Sequence, residues 1–442
     1  MNSSFYNGVS GIQSHQFGID VWSNNITGVN TAGFKASTPE FSNIFNQQKA
    51  NSYFDSVASD VGLGSTVQTT TTNFAKGTTI ATESEFDLAI NGDGWFGVTD
   101  KNGDKFYTRA GAFQKDRDGF LVDNEGNYVT GTSANNITEN IVKENPLQNI
   151  VYGIANEQTK IKIPDNLIIP SKPTTNVKFE GSLNTDIVTK FSALSGEHEE
   201  VPNVEVYRTN IIDANGDENS LEITLTKIVP STTNGTQWTT KAVVKDSDRN
   251  PLSTKDGQIS FNERGAILSN TLTEIDNNGS PVVLDFGTFY DPNSANSGFD
   301  GLVSLSGFKS DRNTTKDGHK EGNLKDYGIS DDGVIVASFD NGQTVAVSKI
   351  AIYNFQNDAG LEQANPVYFK ETANSGNAMF YRDKNGNPIQ SAGISNKKLE
   401  MSNVDLSTAL TELLVIQKAF DASAKSITTS DQMIQNAINM KK

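Results

Sequence analysis

The sequence contains no cysteine and only three histidines among its 442 residues. Without cysteine the chain cannot form a disulfide, a thiolate metal site or a cysteine nucleophile. No apolar run approaches the roughly 18 residues that span a bilayer, which excludes a membrane helix. The first residues lack the basic and apolar regions of a cleaved secretory signal, so such a signal is not expected. The net charge of −17 would repel nucleic acid and anionic lipid, so neither is expected as a partner.

The charge is distributed unevenly along the chain. The first 40 residues carry a net charge of −1 and residues 397–442 a net charge of +1, so the whole acidic excess lies between residues 41 and 396. A chain of this length allows two to four domains of about 100–200 residues each. Near-neutral ends and an acidic middle indicate that the two parts occupy different environments.

Apolar residues recur every seven positions near the start of the chain. This spacing predicts an amphipathic helix with a narrow apolar stripe. The helix is expected to end near Asn30, because Gly33 can adopt the left-handed backbone that follows a helix. The stripe residues, with Val9 on the same broad face, are Phe5, Ile12, Ile19 and Ile26.

A second seven-residue period occurs near the end of the chain. No proline or glycine follows Gly393, so an uninterrupted helix of about 54 Å is predicted from about Asp405 to Met440. Ser402 and Asp405 both suit the N-cap position. The stripe residues are Leu406, Leu413, Phe420, Ile427 and Ile434, with Leu410 at a companion position.

Each helix taken alone could be an ordinary amphipathic helix on a globular core. Two narrow stripes with matching periods at opposite ends of the chain instead favour pairing of the helices as a coiled coil. Stripe surface left over by that pairing would need other copies of the molecule to cover it. Pairing within one chain only, with no role in assembly, is the alternative.

The middle of the chain has the pattern of β structure. Strands rich in Val, Ile, Thr and Phe alternate with hairpin signals, which predicts antiparallel sandwiches or barrels. The expected fold is therefore mainly β with α-helical termini. Residues 65–79 and 371–398 are polar and turn-rich, and are expected to be connectors. The hairpin signals are Asn102-Gly103, Asn215-Gly216, Asn234-Gly235, Asn278-Gly279, Asn341-Gly342 and Asn385-Gly386.

Residues able to carry out chemistry are sparse. The histidines are too far apart for a local metal site. The acidic turns that begin at Asp100, Asp213 and Asp383 resemble the start of a calcium loop, but their glycine comes at the fourth position rather than the sixth. Hairpin turns explain these segments more simply. We therefore expect no catalytic residues, no metal ligands and no cofactor.

Three segments carry a specific resemblance. Residues 20–35 (DVWSNNITGVNTAGFK), residues 86–113 with FDLAINGDGWFGV and YTRAGAF, and residues 399–406 (LEMSNVDL) resemble the signatures of bacterial flagellar rod and hook proteins. The family usually has Ala-Asn where this chain has Thr27-Gly28, which implies a looser helix end. The motif residues are Asn24, Asn25, Asn30, Thr31, Gly33, Phe34, Lys35, Ser402, Asn403, Val404 and Asp405.

Within this family the resemblance favours the hook branch. Residues 165–295 form an insertion large enough for an extra β domain, and residues 332–343 with 355–361 resemble the hook's return segment. A distal rod or hook-associated protein of the same family is the closest alternative. A secreted enzyme or calcium-dependent adhesin is the alternative from another class.

The resemblance implies a structural protein that polymerises with itself into a curved extracellular tube, which acts as a universal joint between rod and filament. It implies as partners the distal rod protein, the hook cap, the hook-filament junction protein and the flagellar type III export apparatus, which exports subunits without a cleaved signal. The expected parts are a helical inner domain (1–30 with 400–442), a connector (31–72 with 362–399), a β domain (73–165 with 296–361) and an inserted outer β domain (166–295).

Overall fold

The computed structural model has one long helix at each end and β structure between them. It describes residues 3–44, 46–49, 59–62, 64–138, 140–143, 150, 155–191, 198–229, 235–294, 297–307 and 312–440. Helix α1 covers Ser3–Thr27 and continues as a 3-10 turn over Gly28–Asn30. Helix α2 covers Leu406–Met440. Both helices, the end of the first near Asn30 and the span of the second, are confirmed.

The strands between the helices are mostly short. The first eighteen are β1 (Ser37–Asn43), β2 (Asn46–Lys49), β3 (Ser59–Gly62), β4 (Ser65–Thr72), β5 (Thr79–Ala81), β6 (Leu88–Asn91), β7 (Trp95–Thr99), β8 (Lys105–Thr108), β9 (Phe113–Lys115), β10 (Leu121–Asp123), β11 (Tyr128–Ser133), β12 (Ile137–Thr138), β13 (Ile141–Val142), β14 (Thr159–Lys160), β15 (Ile168–Ile169), β16 (Asn176–Asn184), β17 (Val188–Phe191) and β18 (His198–Val201). The others are β19 (Val204–Ile212), β20 (Glu218–Lys227), β21 (Thr236–Lys245), β22 (Pro251–Phe261), β23 (Ile267–Asn270), β24 (Glu274–Asn277), β25 (Ser280–Asp285), β26 (Leu302–Leu305), β27 (Asn313–Lys316), β28 (Gly322–Ile329), β29 (Val334–Phe339), β30 (Thr344–Ile350), β31 (Ile352–Tyr353), β32 (Glu362–Asn365), β33 (Tyr368–Lys370), β34 (Tyr381–Arg382), β35 (Pro388–Ile389), β36 (Gly393–Asn396) and β37 (Lys398–Glu400). Further 3-10 turns cover Ala155–Glu157 and Asp358–Gly360.

The predicted hairpin turns connect paired strands. Five of the six Asn-Gly pairs lie between consecutive antiparallel strands, and Asn234 lies outside the described residues. In the turn at Asp100, the carboxylate accepts hydrogen bonds from the backbone N–H groups of Asn102 and Asp104, at 2.8 Å each. Asp213 and Asp383 do the same for the residues two and four positions later. These carboxylates therefore act in turn formation, as the simpler interpretation expects.

A fifteen-stranded sheet collects strands from both halves of the chain. It contains β7–β15 from the outgoing half and β28–β33 from the returning half. Returning strand β36 also pairs with β6, and β37 with β5. Their core includes Phe96, Leu121 and Ile350, all essentially buried. The two halves of the chain are thus joined by hydrogen bonds between strands close to the helices.

Two five-stranded sheets share a second core. One contains β16 and β24–β27, and the other contains β19–β23 in sequence order. Their buried side chains form one cluster, in which Trp238 and Phe179 are fully enclosed. The inserted domain is expected to end at residue 295, but β26 and β27 lie beyond that residue and pair with β16. The reason is that Leu302 of β26 belongs to this second core.

The connector predicted at residues 65–79 is partly a strand. Its threonine-rich segment forms β4, which pairs antiparallel with β1 over seven residue pairs. Threonine suits a half-buried pleated surface, and polarity alone did not distinguish such a strand from a loop. Strands β2 and β3 continue the same hairpin.

Candidate assembly site

The two helices approach each other through glycines. A Cβ atom added to Gly8 would lie 2.6 Å from Ile427, one on Gly11 would lie 2.7 Å from Ser423, and one on Gly18 would lie 2.9 Å from Ile416. The contact positions rise along α1 as they fall along α2, so the helices run antiparallel. We call Gly8, Gly11 and Gly18 the glycine face.

The predicted stripe of α1 lies beside this glycine face. Ile12 and Ile19 directly follow two of the glycines, and one residue step turns an α-helix by about 100°. Both side chains are half-buried, as is that of Ile26. Phe5 remains 37 % exposed. The sequence period located the apolar stripe but did not reveal that glycines make the closest contact.

Some residues of the predicted α2 stripe are in contact with other residues, and others are exposed to solvent. Ile427 packs against the glycine face, and Leu413 and Phe420 are half-buried. Leu406 and Leu410 are 44 % and 45 % exposed. Ile434 is also 45 % exposed.

A polar hairpin covers another side of α1. Ser14 donates a hydrogen bond to the backbone carbonyl of Ser65 at 3.1 Å, where β4 begins. Gly64 packs against Ser10, which leaves no room for a side chain there. The hairpin therefore contacts α1 through hydroxyls and backbone, and also through the Phe41 ring of β1, which lies beside His15 and Gly18.

Three segments that lie far apart in sequence meet at the buried carboxylate of Glu400. Glu400 accepts a hydrogen bond from the Lys35 ammonium at 2.7 Å and another from the Arg109 guanidinium at 3.3 Å. Each of the three side chains is at most 5 % exposed. The Gly77 N–H donates to the same carboxylate at 3.1 Å, and Lys35 also donates to the Ala75 carbonyl at 2.9 Å. We call Lys35, Arg109 and Glu400 the junction.

Charge and burial oppose each other at the junction. Burial disfavours the ionised carboxylate, but the Lys35 and Arg109 charges outweigh it and hold the pKa of Glu400 below its usual range. Burial lowers the pKa of Lys35 below its ordinary value, against the raising effect of Glu400. Arg109 also lies over the ring of Trp95, at 5.5 Å from its centroid.

The backbone contacts around the junction come from the predicted motif residues. Gly33 has φ +72°, and its N–H donates to the Glu400 carbonyl at 2.8 Å. A Cβ atom there would lie 2.2 Å from the Ala110 nitrogen, so only glycine fits. Phe34 is 1 % exposed and packs against Gly28.

Two asparagines tie neighbouring strands to the helices. The Asn25 side chain makes two hydrogen bonds with the Ser37 backbone, at 2.6 and 2.9 Å. Asn403 accepts from the Ala36 N–H at 2.8 Å and donates to the Asn73 carbonyl at 2.7 Å. These hydrogen bonds therefore hold the end of α1 and the segment before α2 against the strands that begin and end nearby.

The other motif residues cap or border the helices. Asp405 caps α2 by accepting hydrogen bonds from the Ser407 and Thr408 N–H groups, at 2.9 and 3.3 Å. Ser402 accepts from the Val404 N–H at 3.2 Å instead of capping the helix. Asn24, Asn30 and Thr31 are exposed, and Thr31 closes the 3-10 turn through its backbone N–H.

The glycine face, Arg109 and Glu400 are not among the predicted site residues. Glycines three and seven positions apart in a helix were a usable signal, because glycine is unfavourable inside helices unless it serves packing. Charged residues within apolar motif segments were a second signal, because buried charges need partners. The part of the chain that the structure describes has no helix long and apolar enough to cross a membrane, and shows no group of three potential metal-ligating side chains.

Comparison with known proteins decides the family. A family model described as the flagellar hook protein FlgE/F/G D1 domain matches residues 89–183, and one described as the flagellar basal body rod FlgEFG protein C-terminal matches residues 395–440. The flagellar hook protein FlgE of Escherichia coli is 30 % identical over 450 residues, covering 99 % of this chain and 100 % of the relative. This chain belongs to the flagellar hook protein family. Its function is therefore that of a structural subunit of the flagellar hook.

Other members of the family also match most or all of this chain. The flagellar hook protein FlgE of Treponema pallidum is 30 % identical over 487 residues and is covered completely, as is this chain. A crystal structure of the Helicobacter pylori flagellar hook protein FlgE2 matches with a TM-score of 0.54 and 18 % identity, covering 73 % of this chain and 100 % of that one. The structural match supports the fold, namely mainly β with a helix at each end.

Proposed function

We propose that this hook subunit assembles with copies of itself through one apolar side of its helix pair, and that the resulting curved tube transmits torque as a universal joint. The observation that carries the proposal is the exposure of large apolar side chains on paired helices that already contact each other elsewhere. Phe5, Leu406 and Leu410 are each more than one-third exposed. Contacts between copies would bury this surface, which is favourable by about 1.5–3 kcal/mol for each large side chain fully buried.

Helix geometry indicates that both stripes lie on the same side of the pair. Ile12 directly follows Gly11, which contacts α2, and Leu410 directly follows the buried Ala409 of α2. In each helix the apolar residue is therefore rotated by about 100° about the helix axis, in the chain direction, from the buried residue before it. Because the helices are antiparallel, equal rotation places both residues on one side. We call this the open side; its members are Phe5, Val9, Ile12, Ile19, Leu406, Leu410 and Leu413.

The polar hairpin supports this division of surfaces. Ser10 precedes Gly11, so the side of α1 that contacts Gly64 of the hairpin is turned away from the open side. The hairpin thus covers one side of the pair within the chain, while the open side has no such cover among the described residues. Ile434 would add to the contacts between copies, since its side chain is 45 % exposed.

Finer features are part of the same proposal. The helices pair as a coiled coil that lines the tube, the fifteen-stranded sheet forms the next layer, and the two five-stranded sheets form an inserted outer domain. The expected parts are kept, except that the inserted outer domain would extend from residue 166 to about residue 320 instead of residue 295, because β26 and β27 pair with β16. The subunit leaves the cell through the type III export apparatus without a cleaved signal, and contacts the distal rod protein, hook cap and hook-filament junction protein.

Replacement of Leu406 and Leu410 by serine tests the proposal. Losing two apolar contacts per subunit should raise the critical concentration for tube formation at least tenfold, because about 1.4 kcal/mol corresponds to a factor of ten. Electron microscopy and sedimentation measure the polymer. Circular dichroism should show unchanged helix content in the unassembled chain.

The matched control replaces Thr411 and Lys418 by serine; both are exposed on α2 and come two positions after Ala409 and Ile416, which turns them away from the open side. This variant should polymerise like the unmodified chain. Normal tubes from the Leu406 and Leu410 variant, or from a chain truncated before residue 405, would show that the open side does not drive assembly.

A further inference from the structure

The junction joins segments that lie far apart in sequence. Lys35 follows α1, Arg109 follows β8 in the fifteen-stranded sheet, and Glu400 ends β37 just before α2. The Lys35–Glu400 pair spans 365 positions and the Arg109–Glu400 pair spans 291. Both chain ends and the sheet therefore meet at one carboxylate.

The charges at the junction do not balance. Two cations share one carboxylate, and the Arg109 Nε has no hydrogen-bond partner among the described residues. Lys76 adds positive charge near Lys35. Asp358 accepts a hydrogen bond from the Trp95 indole N–H and interacts electrostatically with Arg109. Loss of the Glu400 charge would leave two buried cations facing each other without their shared anion.

We propose that Glu400 is an electrostatic latch that fixes both chain ends to the β structure by neutralising Lys35 and Arg109. Glu400 acts through the negative charge of its carboxylate and not through the size of its side chain. Removing the carboxylate charge opens the junction, whereas removing the Lys35 charge leaves Glu400 matched by Arg109. An uncompensated buried charge is much more costly than an absent pair.

This asymmetry gives the proposal a specific test by hydrogen exchange in the unassembled full-length chain. Glu400→Gln should accelerate exchange at least tenfold at the Gly33 and Met401 amides, which donate to the Glu400 and Thr78 carbonyls. Lys35→Met should have a smaller effect. The double variant Lys35→Met/Glu400→Gln should exchange at least threefold more slowly than Glu400→Gln alone.

Two controls accompany these variants. Glu274→Gln removes the carboxylate of an exposed ion pair with Lys255 at 3.4 Å and should leave junction exchange unchanged. Amides in β20 and β21 report in the same samples whether the second core, remote from the junction in sequence, is also destabilised.

The outcomes separate charge from shape. If Glu400→Gln destabilises the whole chain, adding Lys35→Met must restore part of the protection. A double variant that exchanges as fast as Glu400→Gln, or faster, overturns the latch, as does unchanged exchange in Glu400→Gln itself. Because the measurement uses unassembled chains, either failure would leave the assembly proposal intact.

Discussion

The paired helices and the two five-stranded sheets differ in how much of their apolar surface is buried within one chain. The sheets enclose Trp238 and Phe179 completely, whereas α2 buries only Ala409, Ile416 and Ser430 over its 35 described residues. Since burial of apolar area is the main favourable term in folding, the sheets carry their stability within one chain. The helices expose apolar area that other copies would cover. With the proposed assembly through the open side, folding and assembly would be assigned to different parts of the molecule.

The largest effect that can test this comparison is expected in the second core. Trp238→Ala removes a fully buried ring whose indole N–H donates to the Ser304 hydroxyl at 3.1 Å. We expect a loss of about 3–5 kcal/mol in the free energy of unfolding. Urea unfolding would measure that loss, and amide exchange in α1 should not change.

The control for this variant is Val204→Ala in the same sheet. Val204 is 55 % exposed, so its truncation should change the free energy of unfolding by no more than about 0.5 kcal/mol. Faster exchange in α1 after Trp238→Ala would mean that the helices depend on the second core, and the two regions would not be separate.

The complementary variant acts at the helix pair, where Gly18 lies beside Ile416 of α2 and Phe41 of β1. Gly18→Leu places a side chain where even a Cβ atom would lie 2.9 Å from Ile416. Overpacking of this kind costs about 1–3 kcal/mol, partly offset by the better helix propensity of leucine, about 1 kcal/mol. We expect faster amide exchange in α1 and unchanged urea unfolding of the sheets.

Gln16→Leu provides the matched control, since Gln16 is exposed on the same helix. It adds the same side chain without entering the contact with α2, so exchange in α1 should stay as it is. If Gly18→Leu behaves like Gln16→Leu, the glycine face does not determine helix pairing.

The same division explains which features could be predicted from the sequence. Periods of seven and two residues, and Asn-Gly turns, are local signals, and they located both helices and five hairpins correctly. Pairing between segments far apart in sequence leaves no local signal. For that reason, the placement of β26 and β27 against β16, and of Glu400 between Lys35 and Arg109, became visible only in three dimensions.

The resemblance located the motif residues but not their roles. It marked Lys35, Gly33 and Asn403, and the structure shows that all three lie where the chain ends meet the strands. The apolar stripe was identified from its period alone. The glycine face escaped notice because a search for apolar residues ignores a residue without a side chain.

The smallest expected effect concerns the start of α2, where the helical region meets the junction. Hydrogen bonds from Thr408 and Ser407 lower the pKa of Asp405 below its ordinary value of 3.8. The folded chain therefore binds this proton less readily than the unfolded chain does. The stabilisation by Asp405 is complete above the ordinary pKa and is lost as pH falls through the lower pKa of the folded state.

Asp405→Asn separates the charge of this cap from its hydrogen bonds. Asparagine keeps an acceptor for the Ser407 and Thr408 N–H groups, so the first turn should remain formed at neutral pH. The amide chemical shifts of that turn, followed by NMR between pH 5 and pH 2, should shift in the unmodified chain and stay nearly constant in the variant. Equal titrations in both chains would show that another carboxylate controls the helix start.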